Sequence, residues 1–324
     1  MEVEYPIVYD LNKSGYDIKK LFTDSEYSKS CEEFLTIRDN YDKNLVLIKY
    51  NKNKLNEENW NTLGLLRSLV YDKKQGKVVS YFPPKSALSV PEDYDNKNVK
   101  VEEFFEGTMI NLFWYDFIGD WEITTRSNIG AKCSYKPGGR TFRTLFLETL
   151  NKLNIEFDHF DKHFCYTFVL QHSDNRIVCP IKENRVVLVD ISSIDNNNKV
   201  YKWGREGFYK CVKNVVKTDC SSIIPTVWEM NYNAMLENLS RAPYFFMGYV
   251  MHDKGVRYKF RNNNYEYVRH LKGNNPKIQY RYYHLRQNNL VKDYLKYFPE
   301  NYTDFINLRN DLHNYTKNLY QNYI

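Results

Sequence analysis

The sequence predicts an α+β protein, built on antiparallel sheet and ending in a small helical appendage. Three observations carry that reading. Between residues 44 and 261, short runs of apolar, β-branched and aromatic residues recur, separated by Gly, Asn and Asp; this is the pattern of strands joined by turns. One long segment in that span, 138–154, instead spaces Leu and Phe for one face of a helix. Beyond Lys272 the texture changes, and residues 276–324 are polar, rich in Lys, Tyr, Asn and Leu, and without strand alternation. At 324 residues, 42% hydrophobic and 16% aromatic, the chain can bury a substantial core without disulfides or metals. The expected division is 1–272 for the sheet-bearing domain and 273–324 for the appendage.

Taken in order, the first forty residues predict a helix near 25–35. "NLVLIKYN" (44–51) is an unbroken apolar run and reads as a buried strand. "LLRSLVYDKKQGKVVSYF" (65–82) holds two strand-like runs around Gly76, a hairpin. The strand "TMINLFWYD" (108–116) turns at Gly119 into "WEITTRS" (121–127). The helix of 138–154 follows, then strands at 165–171, 185–191, 244–252 and 256–261. Two or three helices fill the tail, where "KIQYRYYHLRQ" (277–287) interleaves cations with tyrosines. That stretch suits phosphate contacts with base stacking, and equally suits packing on the core.

Several chemistries are excluded. Phosphate-cradling G-x-x-x-x-G-K-[ST] and dinucleotide G-x-G-x-x-G loops are missing from the sequence. The cysteines at 31, 133, 165, 179, 211 and 220 include no C-x-x-C pair, so no zinc or thioredoxin-like motif is indicated and they read as reduced thiols of a cytoplasmic protein. His159 and His163 lie four apart, but Phe160 stands where a metalloprotease places its glutamate; an ordinary histidine pair is expected, and no metal site. No Ser or Cys sits in a nucleophile motif. No apolar run approaches the roughly 18 residues of a membrane span. The net charge of +6 is compatible with a nucleic-acid partner and equally with a solvated basic surface. The sequence does not set the oligomeric state.

What stands out is a series of cations in or beside apolar strands: Lys49, Arg67, Lys85, Arg126, Arg176, Lys259 and Arg261. A charge there is costly unless it is paired or faces a ligand. Taken singly, each reads as an edge residue or a structural ion pair. Their surroundings add more. "IKYN" (48–51), "LLRSLVYD" (65–72), "YFPPKSALS" (81–89), "FFEGTMINLF" (104–113), "ITTRSNIG" (123–130), "YTFVLQHSDNRIVCPI" (166–181), "FFMGYV" (245–250) and "RYKFRNNNY" (257–265) follow one another along the chain. In that order they resemble the segments of the phage-type tRNA-repair RNA ligases, a branch of the covalent nucleotidyltransferase superfamily.

The resemblance, over roughly residues 45–272, implies an antiparallel-sheet nucleotidyltransferase (ATP-grasp-like ligase) domain. It puts Tyr50 near the nucleotide and makes Arg67 the arginine of an R-G-hydrophobic segment, with Ser68 where glycine is usual. Lys85 lies in the segment leading towards the nucleophile. Phe104 holds the nucleophile position of the K-x-D-G strand, with Glu106 for its acid and Gly107 after it. Arg126 takes the lysine position of S-K-G, Arg176 belongs to the N-R-I-V string, and Lys259 and Arg261 match K-x-K.

In such ligases a lysine amine attacks the α-phosphate of ATP, and the adenylate passes to an RNA 5′-phosphate before a 3′-hydroxyl displaces AMP. Cationic clamps and divalent metal assist. Phe104 has no lone pair to attack phosphorus, and Val169 and Met247 replace two carboxylates of the pattern, while the cations remain. The expectation is a pseudoenzyme whose cleft binds RNA ends or nucleotide phosphates without self-adenylation or metal. One alternative is an active ligase using ATP and Mg2+ with a relocated nucleophile. Lys85 is then preferred to Lys100, which lies roughly 13 Å from position 104 along the same strand face. The other alternative is a scaffold with a vestigial cleft. Glu106 is expected either to hold nucleotide or to pair with a cleft arginine. The pattern also resembles proteins of large cytoplasmic DNA viruses, which implies a host-cytoplasm location.

Overall fold

The computed structural model describes residues 7–40, 44–90, 94–216 and 221–324. Its strands are β1 (Ile7–Asp10), β2 (Leu35–Asn40), β3 (Leu45–Tyr50), β4 (Leu69–Asp72), β5 (Lys77–Tyr81), β6 (Asn98–Glu103), β7 (Thr108–Tyr115) and β8 (Asp120–Thr125). They continue with β9 (Asn128–Ile129), β10 (Cys165–Gln171), β11 (Arg185–Ile194), β12 (Lys199–Lys202), β13 (Val227–Asn231), β14 (Gly248–Asp253) and β15 (Val256–Arg261). The helices are α1 (Lys20–Thr23), α2 (Ser25–Cys31), α3 (Phe142–Lys152), α4 (Arg205–Val215), α5 (Tyr232–Arg241), α6 (Asn263–Lys272), α7 (Ile278–Gln287), α8 (Val291–Tyr297) and α9 (Tyr302–Tyr323).

The architecture is α+β, as expected. A seven-stranded sheet runs β1-β12-β11-β10-β7-β8-β9, a four-stranded sheet β13-β6-β14-β15, and another β2-β3-β4-β5. The strands pair antiparallel in all three.

The unbroken apolar run of β3 has a direct cause. Leu45 and Leu47 enter one core with Val70, Phe113 and Tyr115, whereas Val46, Ile48 and Tyr50 enter another with Leu63, Leu66 and Leu69. A strand of period two between two cores has no solvent face to mark. In β10, Tyr166, Phe168 and Leu170 join the largest core with Ile110, Phe146 and Leu188. On its other face, Thr167 donates to Asn111 Oδ1 at 2.7 Å and Val169 lines a cleft.

Three expected elements are shorter than the sequence implied. The helix at 25–35 ends at Cys31 because Leu35 already pairs with Tyr50 of β3. The helix at 138–154 begins only at Phe142, where the Thr141 hydroxyl caps the Thr144 N–H at 3.2 Å. The strand at 244–252 begins at Gly248; the Asn262 side-chain amide holds the carbonyls of Ala242, Pro243 and Phe246 in a turn at 2.8–3.1 Å.

The tail is helical, and it shares a core with what precedes it. Tyr282, Leu285, Tyr294, Phe298 and Phe305 pack with Tyr265, Val268 and Leu271 of α6, with Val178 and Cys179, and with Met247. That core runs across residue 272. Among the described residues, no helix is long and apolar enough to cross a membrane.

Candidate functional site

Residues Phe104–Gly107 carry the chain from β6 of the small sheet to β7 of the large one. The Phe104 N–H donates to the Gly248 carbonyl at 2.8 Å, extending the pairing of β6 with β14. Two glycines set the spacing. Gly107 has φ +152°, and a Cβ there would stand 2.4 Å from the Leu170 carbonyl oxygen and 2.7 Å from Val169 Cγ1. Gly248 has φ +146°, and its Cβ would stand 1.9 Å from the Phe260 oxygen. Only glycine allows these backbone approaches. Between the two sheets lies a cavity of about 470 Å³. Phe104, Met109, Val169 and Met247 give it apolar walls, and Arg67, Arg126, Arg257, Lys259 and Arg261 give it charge.

The Phe104 ring sits among cations. Lys259 Nζ stands 4.4 Å from the Phe104 ring centroid, with the Arg261 guanidinium at 5.7 Å, a cation–π arrangement. Burial, followed by repulsion from Arg67, Arg257, Arg261 and Lys85, holds the Lys259 amine well below the usual lysine range. Burial, with Arg126 and Arg257, also lowers Arg67, which is 8% exposed. Among the described residues its N–H groups reach only the Pro83 carbonyl at 3.3 Å and Met109 Sδ at 3.4 Å. Burial lowers Arg126 as well, and its Nε is buried without a partner among the described residues. Guanidinium groups keep their protons, so these shifts register the cost of burying charge first and mutual repulsion second. Among the described residues no carboxylate pairs with Arg67, Arg126 or Lys259; Arg261 has Glu266 at 2.8 Å.

Other expected site residues lie elsewhere. Arg176 does not line the cavity. It donates to the Val178 carbonyl at 3.1 and 3.2 Å and the Tyr297 carbonyl at 2.7 Å, pairs with Glu300 at 2.7 Å, and stacks 4.6 Å from the Phe298 ring. It fastens the tail. Tyr50 is buried in the core that β3 shares with Leu63, Leu66 and Leu69 and is not part of the cavity lining. Lys85 also falls outside the lining, with Nζ bonded to the Ser86 carbonyl at 3.4 Å. It stays within the field of Arg67, Arg261 and Arg257, which together with burial lower its pKa. Lys100 lines a different cavity. The expected histidine pair does not share a helix; His159 accepts from the Glu156 N–H and His163 contacts Asp161.

Glu106 lines the cavity but, among the described residues, pairs with none of its arginines. Its buried carboxylate accepts from the Val178 N–H at 2.9 and 3.0 Å and from the Cys179 N–H at 3.2 Å on both oxygens, and Tyr265 is hydrogen bonded to it as well. It ties the N-R-I-V loop to the strand crossover.

The sequence reading missed Arg257, although the signal was present. In β15 every second residue, Arg257, Lys259 and Arg261, is basic, which puts all three on one face. It also missed a buried polar wall behind the cleft. Glu102 contacts Arg205 Nε at 2.5 Å, Tyr209 at 2.7 Å and His252 at 3.4 Å, and Glu102 and His252 line both this cavity and a second one of about 560 Å³. Burial alone would raise the Glu102 pKa, but Arg205 and His252 bring it down to about 2. Burial pushes His252 down to about 4 against the pull of Glu102.

Divalent ions of the Mg2+ class require several oxygen ligands. The oxygens of Glu106 are held by backbone amides, those of Glu102 by Arg205, Tyr209 and His252, and Glu103 faces Arg185 at 4.0 Å. Val169 and Met247 offer none. This donor set does not fit a divalent-ion site.

Fold and cleft together define an antiparallel α+β protein with a cavity between two sheets whose lining is rich in arginine and lysine. In sequence the chain is similar to the RNA ligase of Rhodothermus phage RM378, 29% identical over 115 residues. The match covers 33% of this chain and 26% of that protein, about a quarter of the relative's length. No family model matches. Among solved structures, an archaeal ATP-dependent RNA ligase overlays with a TM-score of 0.49 and 12% identity, covering 79% of this chain and 67% of that one. A putative ATP-dependent DNA ligase from Aquifex aeolicus gives 0.47 and 14%, covering 92% and 75%. A lysine variant of Naegleria gruberi RNA ligase with ATP and Mn gives 0.36 and 13%, covering 58% and 64%.

Proposed function

We propose that this chain binds RNA ends or nucleotide phosphates in the cavity over Phe104, and that it is a pseudoenzyme with no covalent adenylate at that position. The observation that carries the reading is the convergence of Arg67, Arg126 and Lys259 on the Phe104 crossover without a pairing carboxylate among the described residues. Such a cluster is unfavourable until an anion enters. The test is binding of 5′-phosphorylated single-stranded RNA and of nucleotide across a salt series. Three neutralised phosphates give a log–log slope of about −2 for a single strand. Salt-insensitive binding, or no binding to either ligand, refutes the proposal.

One observation favours a second reading, an active ATP-dependent RNA ligase. Lys259 brings a primary amine to 4.4 Å from the Phe104 ring centroid, and a lysine amine is a group that can attack phosphorus. In this reading Lys259 joins Lys85 as a candidate for the relocated nucleophile. Incubation with α-labelled ATP decides it: a covalent label lost in Lys259→Arg supports ligation, and an unlabelled protein supports the binding role.

A further inference from the structure

Helix α9 carries one continuous apolar stripe, and the described residues cover only its first half. At about 100° per residue, Phe305, Leu308, Leu312, Tyr315, Leu319 and Tyr323 fall within an arc of roughly 80°. Phe305 and Leu308 join the core built with Tyr265, Tyr282 and Tyr294, and Leu312 is half-buried. Beyond it every residue from His313 to Ile324 is exposed, with Tyr315 at 61%, Leu319 at 51% and Tyr323 at 90%. Roughly three turns of helix are marginal on their own even with good formers. Asn, Tyr, Thr and His, which dominate this segment, are weaker ones. The helix therefore calls for a cover along the exposed half of the stripe.

Charge narrows what the cover is. Lys317 is the one Lys, Arg, Asp or Glu among residues 313–324, and it lies about 160° round the helix from the stripe. That is too little charge to hold a nucleic-acid backbone or an anionic membrane, and too little to repel an identical helix. We propose that the exposed stripe is a contact between two copies of this chain, paired as antiparallel α9 helices. Parallel pairing would bring the two folded bodies together at the Phe305 end, where each copy's own core already occupies the stripe. In the antiparallel register Tyr315 of each copy meets Leu319 of the other, and Leu312 meets Tyr323, so each level sets a leucine against a tyrosine. At about 150–250 Å² per aromatic side chain, the exposed fractions offer on the order of 400 Å² per copy. The total of about 800 Å² falls below the roughly 1,200 Å² of stable complexes, so the dimer is weak and reversible, with a dissociation constant on the order of 10–100 µM. The contact is independent of what the cleft binds.

Sedimentation velocity of the full chain, over about a hundredfold concentration range around that value, tests it. The sedimentation coefficient should climb from monomer to dimer, and helical circular dichroism should rise with it. Leu319→Asp buries an unpaired carboxylate in each copy and should weaken association at least about 10-fold; Lys317→Glu, on the opposite face, should not. Position 319 is exposed, so the thermal unfolding of dilute Leu319→Asp protein should match the parent, and the concentration series on the unaltered chain stands without the variant. Equimolar Tyr315→Cys and Leu319→Cys chains should be joined to each other by a short bismaleimide faster than either is joined to itself. A monomer at every concentration, a dimer indifferent to Leu319→Asp, or faster like-with-like cross-linking overturns the proposal. RNA binding that Leu319→Asp abolishes in a chain that never self-associates assigns the stripe to RNA and overturns it too.

Discussion

Replacing Glu106 separates a residue that shapes the cleft from one that touches ligand. Its carboxylate satisfies the backbone N–H groups of Val178 and Cys179 in a buried site. Glu106→Ala strands both donors, and each buried unsatisfied group costs about 1–3 kcal/mol, so about 2–6 kcal/mol of stability is expected to go. Glu106→Gln keeps one acceptor but turns an NH2 group towards the amides, and about 2–3 kcal/mol is the expected loss. Urea unfolding followed by tryptophan fluorescence measures it: the midpoint should fall at constant m-value. Phosphate-ligand affinity of the folded variant, measured well below that midpoint, should stay within about threefold. A Glu106→Gln protein within about 0.5 kcal/mol of the parent that lost its ligand affinity would refute the reasoning, because the carboxylate would then serve the ligand.

Arg176→Ala should loosen the tail and spare the cleft. It removes the contacts to Tyr297, Glu300 and Phe298, worth about 2–4 kcal/mol; faster amide exchange across 291–305 is the readout, and a selective loss of phosphate affinity would contradict it. Acid should destabilise the protein in two overlapping steps. His252, neutral when folded with a pKa near 4 against 6.5, gives the unfolded chain extra protons, so stability falls as pH drops from about 6.5 to 4. Glu102, lowered from 4.5 to about 2, contributes stability that is present above 4.5 and lost as pH falls towards 2. Each is worth up to about 3 kcal/mol, and since the two share a hydrogen bond they do not add. Stability that stays flat from pH 7 to 4 in urea titrations would contradict the His252 part.

Strands with an unbroken apolar run or a clean alternation were legible in the sequence. β3, β10 and β15 were bounded within a residue or so because their apolar runs or alternations have no competing explanation. β6, "NVKVEE", was not assigned, since its buried Glu102 becomes tolerable only through Arg205 and Tyr209, residues more than a hundred positions away. β1, β12 and β13 are short and partly exposed, and the partners of β1 and β13 are distant in the chain. Within the site, the cations on strand faces could be read because the face follows from spacing. The fates of Arg176 and Glu106 could not, because a hydrogen bond to a backbone amide or carbonyl leaves no mark on residue type.

The core that runs across residue 272 has a consequence for how the chain can change. Phe104 packs against the same cluster as Met247, Tyr294 and Phe298, so the cleft wall and the tail helices form one mechanical unit. Cutting the chain at residue 272 would remove more than an arm; it would strip the cover from Tyr265 and Leu271 and slacken the surface on which position 104 rests. Substitutions at Tyr282, Tyr294 or Phe298 are therefore tied to residues of the cleft lining, while the outward face of α9, with Tyr320 in solvent, is free to drift. Among related chains, the inner positions of the tail should covary with positions 104 and 247.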